Sequence, residues 1–217
     1  MTGLVRACVA LLAAAALGSI PFGLLVARIW SGTDVRRAGS GNIGATNVMR
    51  VMGPLPGLLT LLLDAAKGAV AVALARIVAG PADAAPPFGP HDVAAWAGFA
   101  AVAGHVFSPW LGLRGGKGVA TAAGVLAVLS PPLFCTAAAA FLVGIVTTRI
   151  VSVGSVLAAL SLPVAGALRI VDPLPPVAFL LALCVLVLVR HRDNLARLRR
   201  GEESRLGSSR PGGDGAR

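Results

Sequence analysis

Apolar residues in this chain gather into seven runs, at roughly residues 4–30, 54–80, 92–106, 118–130, 132–148, 152–169 and 175–190, each bounded by Gly, Pro or charged positions. A helix crossing a bilayer upright needs about 20 apolar residues, and most of these runs approach that length. The pattern predicts an all-α, polytopic integral membrane protein with about seven transmembrane helices. The run at 118–130 is short, and Pro131 and Pro132 divide it from the next. A chain of five spans, with the short segments merged or demoted, is the alternative. The first run begins with Arg6 and resembles the start of a secretory signal, but it stays apolar to Trp30, which is long for a cleaved segment. It is read as the first span.

Basic residues orient the spans. Arg36, Arg37 and Arg50 share one connection, Arg114 and Lys117 another, Arg149 a third, and residues 190–217 carry the rest. With seven spans all four groups fall on one side, which the positive-inside rule makes cytoplasmic. The intervening connections carry Asp83 and Asp92, and Arg169 with Asp172. The N-terminus is therefore expected outside and the C-terminus inside, with Arg6 and Arg76 fitting less well. Residues 1–200 read as one membrane domain. Residues 201–217, rich in Gly, Ser and Arg, read as a disordered basic tail near anionic headgroups.

Composition agrees. The chain has 217 residues, 56% of them hydrophobic and 13% charged, and a mean hydropathy of +0.83. A water-soluble core of this length cannot hold that much apolar surface. The net charge of +10 does not indicate nucleic acid, because the Arg residues sit at span edges and in the tail, without aromatics interleaved. Cys8, Cys135 and Cys184 lie far apart inside apolar runs, so neither a disulfide framework nor a metal site is expected.

Two polar segments concentrate the chemistry. Residues 38–50 contain Ser40, Asn42, Thr46, Asn47 and Arg50 among Gly39, Gly41 and Gly44. Small residues let backbone N–H groups approach an oxyanion, the side chains add donors, and Arg50 adds a fixed charge. A flexible connector rich in turn formers is the alternative. Residues 104–121 contain His105, Arg114, Gly115, Gly116, Lys117 and Gly118 ahead of an apolar helix. Glycines, a lysine and a helix N-terminus together make a phosphate cradle; helix-packing glycines beside a snorkelling lysine would look the same. Gly118 stands where a Walker A loop has Ser or Thr, so nucleotide hydrolysis loses support. Ser152 follows Arg149 at a helix start, and His191 and Asn194 are spaced to share a helical face. Asp64 and Lys67 lie three apart inside the second run, where a structural ion pair is favoured over a proton relay.

Together these segments resemble the bacterial membrane acyl-phosphate:glycerol-3-phosphate acyltransferases, the PlsY family. The resemblance is carried by residues 40–47 with Arg50, by Gly104 and His105, by residues 115–121, and by residues 191–197 with Gly201 and Glu203. It extends over residues 19–203, and Glu202 stands where the family commonly has a small polar residue. It implies a seven-helix fold in the bacterial cytoplasmic membrane with its site at the cytoplasmic face. Glycerol 3-phosphate is the implied acceptor and a fatty acyl phosphate the donor. The implied products are 1-acylglycerol 3-phosphate and inorganic phosphate, in the first committed step of phospholipid synthesis. Ser40, Arg50, Lys117, His191 and Asn194 are the implied catalytic set. Asn42, Thr46, Asn47, His105, Gly115, Gly116, Gly118 and Ser152 are expected to bind substrate, and Glu203 to be mainly structural. No cofactor or metal is expected; the bilayer, and the enzyme supplying the acyl phosphate, are the implied partners.

The residues add one independent point. Acyltransferases that use His followed by four residues and Asp have no counterpart here, since none of His91, His105 or His191 has that spacing. A transporter for a phosphorylated solute is the main rival reading, but the motifs cluster on one side and no repeat between the halves is evident. A non-catalytic membrane scaffold would not need this density of Ser, Asn, Arg and His in two loops.

Overall fold

The computed structural model describes residues 3–79, 90–170 and 175–207. Among them it contains ten α-helices, two short 3-10 turns and no strand. Asp83, Asp172 and residues 208–217 of the basic tail lie outside the described residues.

The first apolar run is two helices, α1 (Gly3–Ser19) and α2 (Phe22–Ser31), where one was expected. Pro21 has no N–H to continue the ladder, and its ring disfavours an uninterrupted helix. The remaining runs become α4 (Pro54–Ala79), α5 (Pro90–Val106), α6 (Val119–Leu129), α7 (Pro131–Thr148), α8 (Val151–Ala167) and α9 (Val177–Arg190). Ser130, at φ −153°, separates α6 from α7, so those two runs are not merged into one helix. Two short helices were not anticipated: α3 (Ala45–Met52) inside the first polar segment, and α10 (Arg192–Arg199) after α9. By length and composition, Gly3–Ser31, α4 and α7 can each cross a membrane, and α6, α8 and α9 are shorter apolar helices.

Small residues let the helices approach closely. A Cβ on Gly18 would lie 2.0 Å from the Ala101 carbonyl oxygen, and one on Gly124 would lie 1.8 Å from that of Ala65. Such contacts are how helices associate in lipid, where burial of apolar surface gives no preference for a protein neighbour over an acyl chain. Val102, Leu126, Phe179, Leu180 and Leu183 fill the centre. Leu4, Leu12, Ile77 and Val146 remain exposed by more than two-thirds on the outer helix faces. Arg76 donates to the Leu129 carbonyl at the C-terminus of α6, 3.2 Å away. That end attracts a cation, which accounts for an arginine off the basic side.

The polar segments meet at one end of the bundle. Ser108 Oγ donates to the Ser19 carbonyl and Trp110 Nε1 to Ser19 Oγ, closing the second segment against the α1–α2 break. The chain does not leave the bundle at Gly201. The Leu206 N–H donates to the Arg149 carbonyl at the α7–α8 turn, 2.7 Å away, which brings Glu203 inward.

Candidate active site

Asn47 organises the first segment. It sits on the first turn of α3 and is buried. Its Oδ1 accepts from the Ser40 N–H at 2.7 Å, while its Nδ2 donates to the carbonyls of Val35, Ala38 and Asn42 at 3.1, 3.1 and 2.8 Å. In this structure the hydrogen-bonding capacity of Asn47, expected to offer donors to a ligand, is used within the chain. Asn42 is likewise engaged, its Oδ1 accepting from the Gly44 N–H at 2.8 Å as a local turn. Arg36 is held by Asp34 through two hydrogen bonds, 2.9 and 2.6 Å, which keeps the Asp34 carboxyl well below the usual range. What the loop leaves open are the side chains of Ser40, Thr46 and Arg50, all exposed and without a side-chain hydrogen-bond partner among the described residues.

In the second segment the glycines divide into two kinds. The N–H groups of Gly115 and Gly116 donate to the carbonyls of Val106 and His105. Their own carbonyls accept from Arg190, at 3.1 and 3.3 Å. A Cβ on Gly115 would lie 1.9 Å from the His105 carbonyl oxygen, and one on Gly116 would lie 2.1 Å from His105 Nε2. Gly115 and Gly116 thus shape the loop by close packing, with their own N–H groups bonded within the chain. Gly118, at φ 82°, turns the chain into α6. The first intrahelical bond of α6 runs from the Ala122 N–H to the Gly118 carbonyl. That leaves the N–H groups of Val119, Ala120 and Thr121 without helical acceptors, next to Lys117.

The third part joins distant residues. Lys117 Nζ donates to Asn194 Oδ1 at 2.5 Å, and Asn194 Nδ2 donates to Glu203 Oε1. Ser152 Oγ donates to the same oxygen and Arg197 Nε to Oε2, both at 2.8 Å. These bonds, with Arg197 beside it, outweigh the opposing effect of burial and hold Glu203 ionised below its ordinary range. Burial, helped by the charges of Arg197, Arg50 and Arg190 and opposed by Glu203, lowers Lys117 to about 8. Burial and the nearby Lys117 lower His191 to about 4, so it is neutral near pH 7. Its Nδ1 faces the Val187 carbonyl at 2.8 Å, which can only accept. The proton therefore sits on Nδ1, and Nε2 presents a lone pair.

Sequence reasoning counted Arg190 and Arg197 among the basic residues that orient the spans, yet one braces the glycine loop and the other holds Glu203. A single basic residue at a helix end carries no signal that distinguishes these uses. His105 is buried with its Nδ1 2.9 Å from Lys67 Nζ, beneath Gly116. Lys67 pairs with Asp64 at 2.8 Å, both about 1% exposed, as the ion-pair reading required. Among the described residues no three His, Cys, Asp or Glu side chains are grouped to hold a metal.

Fold and site together define a helical membrane protein with a cationic cluster at one end, bordered by a helix N-terminus and a neutral imidazole. The family model described as glycerol-3-phosphate acyltransferase matches residues 8–201, and the chain belongs to that family. A glycerol-3-phosphate acyltransferase from Synechococcus sp. (strain JA-2-3B'a(2-13)) is 44% identical over 94% of this chain and 96% of its own. One from Anaeromyxobacter dehalogenans is 47% identical over 87% of this chain and 92% of its own. The solved structure of PlsY (YgiH), an integral membrane glycerol 3-phosphate acyltransferase, in its glycerol 3-phosphate form superposes with a TM-score of 0.80 at 35% identity. The match covers 93% of this chain and 96% of that one. The lysophosphatidic acid form gives 0.78 at 34% identity, over 93% and 95%.

Proposed function

We propose that this chain transfers a fatty acyl group from an acyl phosphate to the 1-hydroxyl of glycerol 3-phosphate. The products are 1-acylglycerol 3-phosphate and inorganic phosphate. The activity follows from the family, and the observation that carries the site is the meeting of Lys117, Arg50, Asn194 and neutral His191 at one end of the bundle. Lys117 and the start of α6 suit the acceptor's phosphate, while exposed Arg50 and Ser40 suit the donor's. Thr46 lines the same exposed edge of α3. Ser152 and Glu203 hold Asn194 in place, and Asn42, Asn47, Gly115 and Gly116 hold the loops.

An acyl phosphate is already an activated mixed anhydride, so positioning and charge stabilisation suffice. The acceptor oxygen forms a bond to the acyl carbon, the bond from that carbon to the phosphate oxygen breaks, and phosphate departs. The hydroxyl proton passes to the departing phosphate. His191 Nε2, a lone-pair acceptor, orients the hydroxyl without needing to ionise.

The chain is read as seven spans, N-terminus outside and C-terminus cytoplasmic, forming one domain over residues 1–200 in a bacterial inner membrane. The site then faces the cytoplasm, where both substrates would be supplied. A transporter would place its site near the bilayer midplane, whereas these residues gather at one end. The deciding experiment measures phosphate released from a long-chain acyl phosphate by purified protein, with and without glycerol 3-phosphate, together with extracted lipid. Acceptor-dependent release matching lysophosphatidate formed is expected. Folded protein giving neither refutes the enzyme reading.

A further inference from the structure

Arg190 takes no part in the mechanism above, yet its place in the fold gives it one. It is the last residue of α9, and its guanidinium reaches a loop 74 positions earlier in the chain. Nε donates to the Gly116 carbonyl at 3.3 Å and Nη2 to the Gly115 carbonyl at 3.1 Å. Both glycines are buried, so their carbonyls need partners inside the protein. Their other sides are closed: the N–H groups donate to the Val106 and His105 carbonyls at the end of α5, and no Cβ fits at either position. The loop is gripped between the end of α5 and the end of α9.

Lys117, the next residue, is held from a different helix. Its Nζ donates to Asn194 Oδ1 on α10, and α10 is separated from α9 by a break at His191, φ −101° and ψ 4°. Asn194 therefore fixes the ammonium relative to α10, while Arg190 fixes the backbone of the loop relative to α9. Val119, at the start of α6, packs against the cluster that contains Cys184 and Val187 of α9. The seat assigned to the acceptor's phosphate, Lys117 and the start of α6, is thus held in register with α9. The seat assigned to the donor's phosphate, Arg50 and Ser40, belongs to a separate scaffold tied by Asn47. The separation of the two seats decides which span from hydroxyl to phosphate lets the hydroxyl meet the acyl carbon.

We infer that Arg190 is a positioning residue that sets acceptor length: by holding the Gly115 and Gly116 carbonyls it fixes the phosphate seat where it suits a hydroxyl separated from its phosphate by three carbons. The inference rests on the acceptor assigned above. A plain structural brace would affect every acceptor alike. A plain cation could be replaced by lysine, whose ammonium is a point charge without the fork that spans two carbonyls.

The test compares kcat/KM of the purified full chain, with one long-chain acyl phosphate as donor, for glycerol 3-phosphate and for hydroxyalkyl phosphates carrying two, three or four carbons between a terminal hydroxyl and the phosphate. Misplacing a reacting group by about 1 Å can cost about 10²-fold, so wild type should favour the three-carbon alcohol over the shorter and longer ones by about 100-fold. Arg190→Met should lower kcat/KM for glycerol 3-phosphate about 30-fold and shrink that preference to about fivefold. Arg190→Lys, which keeps the charge and is the milder change to the fold, should shrink the preference to a similar extent. Equal losses on all acceptors with the preference intact, a wild-type preference in Arg190→Lys, or a wild type that does not discriminate overturns the inference. Failure of the functional reading looks different, since wild type then gives no acceptor-dependent phosphate release with glycerol 3-phosphate itself.

Discussion

The two halves of the site are prepared in opposite ways. Around Lys117 the side chains of Lys117, Asn194, Ser152 and Glu203 are already bonded to one another, through bonds spanning 77, 9 and 51 residues of chain. Around Ser40, Thr46 and Arg50 the scaffold is rigid, because Asn47 ties it together, but the outward groups are exposed and unpartnered. A locked half is suited to a small, constant ligand such as a phosphorylated glycerol. The open half can receive a phosphate attached to a chain arriving from the bilayer, with the desolvation completed only when the donor is bound.

This contrast orders the expected effects of substitution. Arg50→Ala should reduce kcat by about 10² to 10³-fold while leaving the thermal midpoint within about 2 °C of wild type, because the exposed side chain makes no hydrogen bond within the described residues. A midpoint falling in step with activity would move Arg50 into the scaffold. Glu203→Ala should lower kcat/KM about 100-fold and also lower the midpoint, since it strands Asn194, Ser152 and Arg197 together. Thermal unfolding in detergent, run beside the kinetics, separates these two signatures. Asn47→Ala should act chiefly on stability, by about 3 kcal/mol for its four internal bonds, with about a tenfold loss of activity.

A smaller effect comes with pH. Lys117 loses its proton as pH rises through about 8, so KM for glycerol 3-phosphate should climb as pH passes that value. Bound phosphate will push the value up, which makes the limb steeper in KM than in kcat. Lys117→Arg should keep KM flat to higher pH at some cost in turnover, because guanidinium stays charged. A KM limb that persists in Lys117→Arg would assign it to another group. Smallest of all, Asn42→Ala should reduce kcat/KM about threefold, since it removes one turn bond.

Much of the helix map could be read from the run lengths, including the separation of α6 from α7 at Ser130. The first run misled because its hydropathy is continuous across Pro21, and hydropathy does not register a missing N–H. The eight residues of α3 were hidden for a different reason. Asn47, Thr46 and Arg50 are polar, and a helix that short is held by its packing on α4, not by propensity. The same residues were marked as chemically important, but the density of donors did not say which would be buried and which exposed. Asn47 and Thr46 are adjacent, one buried and one exposed.

Residue pattern alone was enough for the class of protein and for most of the apolar helices. These depend on local quantities: apolar run length against bilayer thickness, and turn formers between runs. The division of labour inside the motifs depends on contacts across long stretches of chain, such as Lys117 with Asn194, Arg190 with the glycine carbonyls, and Lys67 with both Ile20 and His105. Those partnerships are set by how deeply each helix sits against its neighbours. A buried donor takes the acceptor that packing brings within about 3 Å, wherever along the chain that acceptor lies.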